Sequence, residues 1–490
     1  MKSQNHNNSM WREQQLLSDG ELVNKCPQEG GYRMVILFSA LAMLSFLSVW
    51  KTYQSGISFM LGGAALGFAL YVVYIFPHMG VIFCMFLFEV PAHASEVSGP
   101  LFHINGMGCA LLFIVCFFFH FWEKGKSLYI GFWEPGVLCG LLFIVSIVYI
   151  EKTIVDEAAV VCAALAIIGI GTIRSKDQIR DVVVVMWLAG TIIAVIGLIH
   201  GVSETGVGSS EKFTFEQKDP NYWGLVVGFA AICGIGAIVE RRINFPWWLI
   251  MLMLCSIIPI TMALGLQASR SALVGVTAAT VASAVVSIKG SNFRRQIPIV
   301  ITLVVMAWIV FLTPFGEVWV SRFSDNTLGT GSDRTILWSA SLEAYTKMPL
   351  LCQIFGRGYG GSLFAIGEAA NLPLASAHNM FLALLIDSGL LGVLIMFIFI
   401  ARILHRIFAC DCLAPRLSFV FLVYWLTQSL FLETQRQVSF WCGICIVVAG
   451  VLPRSSKTGL RSPHGSEDFS LKTERNLVVT PRVATLAQDS

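Results

Sequence analysis

Residues 378–401 read HNMFLALLIDSGLLGVLIMFIFIA, and from Asn379 onward a single side chain, Asp387, carries a charge. A helix that crosses a bilayer needs about 20 such residues at 1.5 Å each. Working outward, runs of this kind recur at 34–50, 57–75, 78–90, 101–122, 129–150, 156–173, 180–200, 222–239, 244–264, 268–288, 297–315, 379–401, 415–432 and 436–452. The third is short and closed by Pro91, so a re-entrant piece and a smaller number of spans also fit. The expected fold is all-α: a polytopic helical membrane protein of about 12–14 transmembrane helices occupying residues 34–452.

Composition agrees. Of 490 residues, 56% are hydrophobic and 13% charged, against about 25% charged in a soluble domain. This excludes a soluble enzyme, a disordered chain, a collagen and a small disulfide scaffold. The net charge of +3 gives no reason to expect a nucleic-acid partner. Most of the 13 cysteines fall inside apolar runs, and the largest loop holds only Cys352, so no disulfide framework is expected. Residues 1–33 are a polar tail with no small-residue cleavage site after a short apolar core, which predicts a retained first span. The Ser, Lys and Glu content of 453–490 predicts a disordered tail.

Orientation follows from lysine and arginine in the short loops. With the N-terminus inside, basic residues are about threefold denser in inner loops than in outer ones. Both termini are then cytoplasmic, and the chain is a multi-pass protein of the plasma (inner) membrane. Two outer segments remain, 201–221 and 316–378. The second is long enough to hold structure of its own. Within it, 333–347 reads as a helix, with Ser332 or Asp333 as cap and Ile336, Leu337, Ala340, Ala344 and Tyr345 at helical spacing. It either lies flat on the outer leaflet, aided by Trp338, or packs over the mouth of the bundle.

Arginines on the outer side run against the positive-inside bias. They are Arg270, Arg322, Arg334, Arg357 and Arg436. Arg270 lies between two apolar runs with almost no loop, where a guanidinium must snorkel or find an anion. Its planar fork suits a phosphate; the structural alternative is a lipid headgroup or an ion pair. His378 and Asn379 open the twelfth run. Asp387 lies inside it, where a carboxylate is costly and marks either a site or an interhelical hydrogen bond. Cys442-x-x-Cys445 and Cys410-x-Cys412 lack clustered partners for a metal. Gly356–Gly361 lacks the Lys-Ser/Thr of a nucleotide loop and is expected to make tight turns.

His378-Asn379-x9-Gly389-x-x-Gly392 resembles the histidine motif of the bacterial O-antigen ligase family. Ser269-Arg270 resembles that family's Ser-Arg element, and Asp219-Pro220-Asn221 its D-P-N element. Asp333-Arg334…Trp338, Pro349-Leu350 and Gly356-x-Gly358-x-Gly360 resemble the outer segment ahead of the histidine. The likeness covers roughly 213–451 and is shared by ligases, repeat-unit polymerases and some protein O-oligosaccharyltransferases. It implies a GT-C-like membrane glycosyltransferase working at the outer face of the plasma membrane, in surface polysaccharide biosynthesis. The implied donor is an undecaprenyl-diphosphate-linked glycan. The implied acceptor is a hydroxyl on lipid A core, on another glycan repeat or on a protein. No cofactor and no metal is implied, and the absence of any Asp-x-Asp agrees.

On this resemblance the catalytic residues are His378, Arg270 and Arg334. Arg357, Arg436, Asn379, Asp387, Asp219 and Asn221 would bind substrate. Charge builds on diphosphate oxygens as the glycosidic bond breaks, and fixed guanidinium groups stabilise it. An imidazole takes the acceptor proton at neutral pH or hydrogen-bonds the phosphate while protonated. The polymerase is the alternative within this class. A lipid-linked oligosaccharide flippase is the alternative outside it, but the chain shows no clear internal repeat of the kind transporters carry.

Overall fold

The structure, a computed structural model, describes residues 132–148, 172–205, 220–266, 269–288, 296–313, 334–432, 434 and 438–453. The chain divides into a unit of 1–453 and a C-terminal unit of 454–490, which lies outside the described residues. So do the first four predicted spans, most of the sixth, the N-terminal tail, and residues 314–333 of the long loop.

Thirteen helices follow one another among the described residues: α1 (Glu134–Val148), α2 (Lys176–Thr205), α3 (Pro220–Val239), α4 (Trp247–Leu266), α5 (Arg270–Ile288), α6 (Gln296–Leu312), α7 (Arg334–Lys347), α8 (Leu350–Phe355), α9 (Gly361–Ala370), α10 (Met380–Asp387), α11 (Gly389–Ala409), α12 (Pro415–Ser429) and α13 (Val438–Gly450). No sheet forms among them; Cys412 and Pro453 make an isolated antiparallel bridge. Three stretches are long and apolar enough to cross a membrane: Lys176–Ile199, Trp247–Leu266 and Gly389–Ala409. Shorter apolar stretches occur in α1, α3, α5 and α6.

The helices start where local chemistry lets them. Ser175 accepts from Gln178 N–H at 3.2 Å, and the Gln178 side chain accepts from Ser175 N–H at 3.0 Å. This reciprocal capping box opens α2 at Lys176, four residues ahead of the predicted run 180–200. At its other end α2 extends through Thr205, which shortens the predicted segment 201–221.

α3 is the central helix. Every residue from Gly224 to Glu240 is buried, and α2, α4, α5 and α12 all pack on it. A helix that is apolar all round and buried all round belongs in the middle of a bundle. Hydrogen bonds cross between helices at Trp187 Nε1 to Ser256 Oγ (2.7 Å) and Tyr424 OH to the Leu225 carbonyl (2.9 Å). Such bonds contribute on average about 0.6 kcal/mol each between membrane helices.

The two ends of the bundle differ. At the lower end, Glu240 closes α3 and accepts from the Arg416 and Leu417 N–H groups that open α12, at 3.1 and 3.3 Å. α3 and α12 are therefore antiparallel. Arg242 pairs with Asp411 at 2.5 Å, and Arg402, near the end of α11, pairs with buried Glu134 at the start of α1. Trp133, Trp247 and Trp248 are exposed at this end, as in an interfacial aromatic belt. The upper end is where α3, α5 and α11 begin and α12 finishes.

Above it sits a small satellite core of Ala340, Ala344, Met348, Cys352, Ala365, Ile366, Ala375, Ala377, Ala383 and Ile386. Its alanines let α7, α9 and α10 pack closely. The predicted helix 333–347 is α7, packed over the hairpin of α9 and α10.

The twelfth run departs from expectation. It is not one helix over 379–401 but two, α10 and α11, broken at Ser388. Gly389 takes φ +66°, a left-handed turn that costs glycine little. The free carbonyls of Ile386 and Asp387 are taken by the Arg357 and Gly358 N–H groups, each at 2.8 Å. The chain at 356–358 thus lies backbone to backbone against the break. A side chain at Gly389 would meet the Ile354 carbonyl, and one at Gly356 the Asp387 carbonyl.

Gly389→Ala is expected to destabilise the fold by about 1–3 kcal/mol, through the strained φ and the methyl forced against a carbonyl. The measurement is a lowered Tm of the detergent-solubilised protein with its helical circular dichroism retained. An unchanged Tm would mean that this contact is not a tight one.

Candidate functional site

The end of α12 gathers three of the quoted motifs. Gln428, fully buried, donates from Nε2 to the Ser271 carbonyl in the first turn of α5, at 2.8 Å. Two residues on, the Leu430 carbonyl accepts from Asn379 Nδ2 at 3.3 Å. One residue further, the Phe431 ring lies 5.5 Å under the Arg334 guanidinium at the start of α7. The turn itself is closed by Phe431 and Leu432 N–H groups on the Gln428 carbonyl, both at 2.9 Å. Five residues therefore bind the Ser269-Arg270 element, the Arg334 helix and the His378-Asn379 pair to one corner.

The start of α3 joins them. Gly224 packs directly against Ser269, where any larger residue would collide with the serine side chain. Ser269 is buried and caps α5: its carbonyl accepts from Leu273 N–H at 3.2 Å, and its hydroxyl lies 3.4 Å from Ala272 N. Arg270 is the first residue of α5, and Asn221 the second of α3. Asp219 and Arg436 lie outside the described residues, as do Ser332 and Asp333.

His378 is held in an uncommon conformation, with φ +47°. For a residue with a side chain this costs on the order of 1–3 kcal/mol, and surrounding structure must impose it. Two contacts do so. The neighbouring Ala377 carbonyl accepts from Trp338 Nε1 at 3.0 Å, and His378 N–H donates to Ser376 Oγ at 3.2 Å. On the other side Asn379 is the N-cap of α10, its Oδ1 accepting from Phe381 and Leu382 N–H groups at 2.9 and 3.1 Å. The ring is half-buried, and its Nδ1 is buried with no hydrogen-bond partner among the described residues. A strained backbone that presents an unoccupied imidazole nitrogen is the kind of outlier that points to function.

Arg357 and Asp387 belong to the far end of α10. That helix has eight residues, about 12 Å of rise. Arg357 N–H bonds its last turn, and Asp387, 1% exposed, accepts from Ser362 N–H at 2.7 Å at the start of α9. Asp387 therefore braces the loop Gly356–Gly361 from behind, as an interhelical hydrogen bond. Gly356, Gly358 and Gly360 all have positive φ, which gives the tight turns expected of that loop.

Three helix starts and two arginine positions thus meet at one corner. The dipoles at the starts of α5, α7 and α10 favour negative charge there, as does Arg334. No cluster of three or more metal-ligating side chains is present among the described residues. Gln428 is the residue that motif reading misses. A buried amide inside the apolar run 415–432 is a signal in its own right, because polar groups at membrane depth are costly unless used.

Residues 252–397 match the family model described as O-antigen ligase. The matched region runs from α4 into α11 and includes Ser269, Arg270, Arg334, Arg357, His378, Asn379 and Asp387. It covers less than a third of the chain and leaves out Asp219, Asn221, Gln428 and Arg436. The matched range includes the starts of α5, α7 and α10, while α12 lies beyond it. No curated protein matches the chain.

Trp338→Phe keeps an aromatic ring and removes the N–H that holds the Ala377 carbonyl. Backbone hydrogen exchange over 376–382 is expected to rise about five- to tenfold, the loss of roughly 1 kcal/mol of local protection. Exchange unchanged in that window would show that the turn at His378 is held by other contacts.

Proposed function

We propose that this chain is a membrane glycosyltransferase of the O-antigen ligase type. It moves a glycan from undecaprenyl diphosphate to an acceptor hydroxyl at the outer face of the plasma membrane. The observation that carries this reading is the corner at residues 428–431, where the arginine turn, Arg334 and the histidine turn are tied to one helix end. The family match over 252–397 supports the same chemistry.

The lower end gathers Arg241, Arg242, Arg402, Arg406 and Arg416, which by the positive-inside rule makes it cytoplasmic. The upper end then faces outward, with both tails inside. In the reaction the acceptor oxygen attacks the anomeric carbon as the bond to the diphosphate oxygen breaks. The bonding electrons leave with the diphosphate, whose growing charge Arg270 and Arg334 stabilise. The acceptor proton passes to His378. Asn379, Gln428 and Trp338 act as positioning residues. Asp387 holds the loop bearing Arg357, which reaches the glycan or the distal phosphate. A repeat-unit polymerase would use the same machinery on a different acceptor.

His378→Ala is expected to lower transfer by about 10²–10⁴-fold with normal membrane insertion. His378→Gly relieves the backbone strain and should be equally inactive. If the glycine variant were active, the turn and not the imidazole would matter. Arg334→Lys is expected to lose most activity, because a point charge does not replace the planar fork. Transfer should persist in EDTA; a chelator-sensitive enzyme would overturn the metal-free reading. Deleting the gene and analysing carrier-linked glycan separates the acceptors. Full-length chains left on the carrier indicate a ligase, and single repeats a polymerase.

A further inference from the structure

The segment between α7 and α9 would be read as part of a water-exposed loop, yet its surface is not that of one. α8 has the sequence Leu350-Leu351-Cys352-Gln353-Ile354-Phe355, with no charge. Leu350 is 71% exposed, Leu351 68%, Phe355 43% and Ile354 38%. Four large apolar side chains thus share the outside of a six-residue helix, while Cys352 points into the satellite core.

The polar groups of this stretch are turned inward. Gln353, the one polar side chain of α8, donates from Nε2 back to the Met348 and Thr346 carbonyls at 2.9 and 3.2 Å. The Gln353 carbonyl accepts from Tyr345 OH at 3.2 Å, and the Cys352 carbonyl from Gly356 N–H at 2.8 Å. Internal satisfaction of this sort is what a segment requires when no water is available to it. Cations flank the helix on both sides, Lys347 before it and Arg357 after it, where long side chains reach back to a polar zone.

The exposed face also has a neighbour of known character. α8 packs on the first turn of α11, with the Ile354 carbonyl against Gly389. α11 is one of the three membrane-length helices, and Leu390, Leu394 and Phe397 are exposed along its upper half. The apolar surface of α8 therefore continues the exposed apolar surface of α11.

We propose that α8 is a membrane-embedded interfacial helix: Leu350, Leu351, Ile354 and Phe355 sit in the acyl region of the leaflet at the upper end of the bundle. Its occupant is bilayer lipid. The inference stands on the packing of α8 against α11 and does not depend on the reaction proposed above. One outcome is structural. The Gly356–Gly361 loop, and Arg357 with it, is tethered at headgroup level by the helix immediately before it.

The test uses the full-length protein in phosphatidylcholine vesicles. An environment-sensitive fluorescent amino acid replaces Leu351, and in separate samples Glu343 as the aqueous reference and Leu394 as the lipid reference. Phe355 is a second position should the first fail to incorporate. Lipids brominated near the top of the acyl chain should quench the probe at 351 to within about twofold of that at 394. Iodide in the buffer should quench it several-fold less than at 343. Iodide quenching equal to that at 343 without lipid quenching would overturn the proposal in favour of an aqueous loop. Quenching by neither agent would overturn it in favour of a face covered by protein, either a second copy or another part of this chain.

Discussion

A helix end that cannot reach water must hand its last carbonyls to some other donor, and the upper half of this molecule is organised by that constraint. Two helices that finish there, α12 and α10, are each finished by a residue that carries a motif. α12 ends on Asn379, through the Leu430 carbonyl. α10 ends on the N–H groups of Arg357 and Gly358. The motif residues nearest the candidate chemistry are thus also the ones that complete the hydrogen bonding of the fold. A change at Asn379 alters the scaffold and the site together, so folding and activity need separate readouts there.

Much of the bundle was legible in the sequence. Apolar runs of the right length correspond to α3, α4, α5, α6, α12 and α13 within a few residues, and the helical spacing at 333–347 corresponds to α7. Counting alternating runs also put Ser269-Arg270 and His378 at the same end, and the structure has them there. Parity suffices for this, because each traverse reverses the chain.

What the sequence hid were partnerships over distance. The run 379–401 is apolar apart from Asp387-Ser388-Gly389, a local signal for a turn that the length of the run conceals. The break exists because backbone N–H groups at 357 and 358, some thirty residues upstream, take the carbonyls that a continuous helix would have used. Asp387 was readable as expensive, but its partner is the backbone N–H of Ser362, a group present at almost every residue and so invisible in composition. Gln428 is hidden for a similar reason. Its partner is a main-chain carbonyl 157 residues away.

The discontinuity between α10 and α11 also sets a height. α11 has 21 residues, about 31 Å, enough to cover the hydrocarbon thickness unaided. α10 is left above it, and its eight residues let the imidazole stand no more than about 12 Å beyond the top of that span. That distance corresponds to a headgroup layer or two.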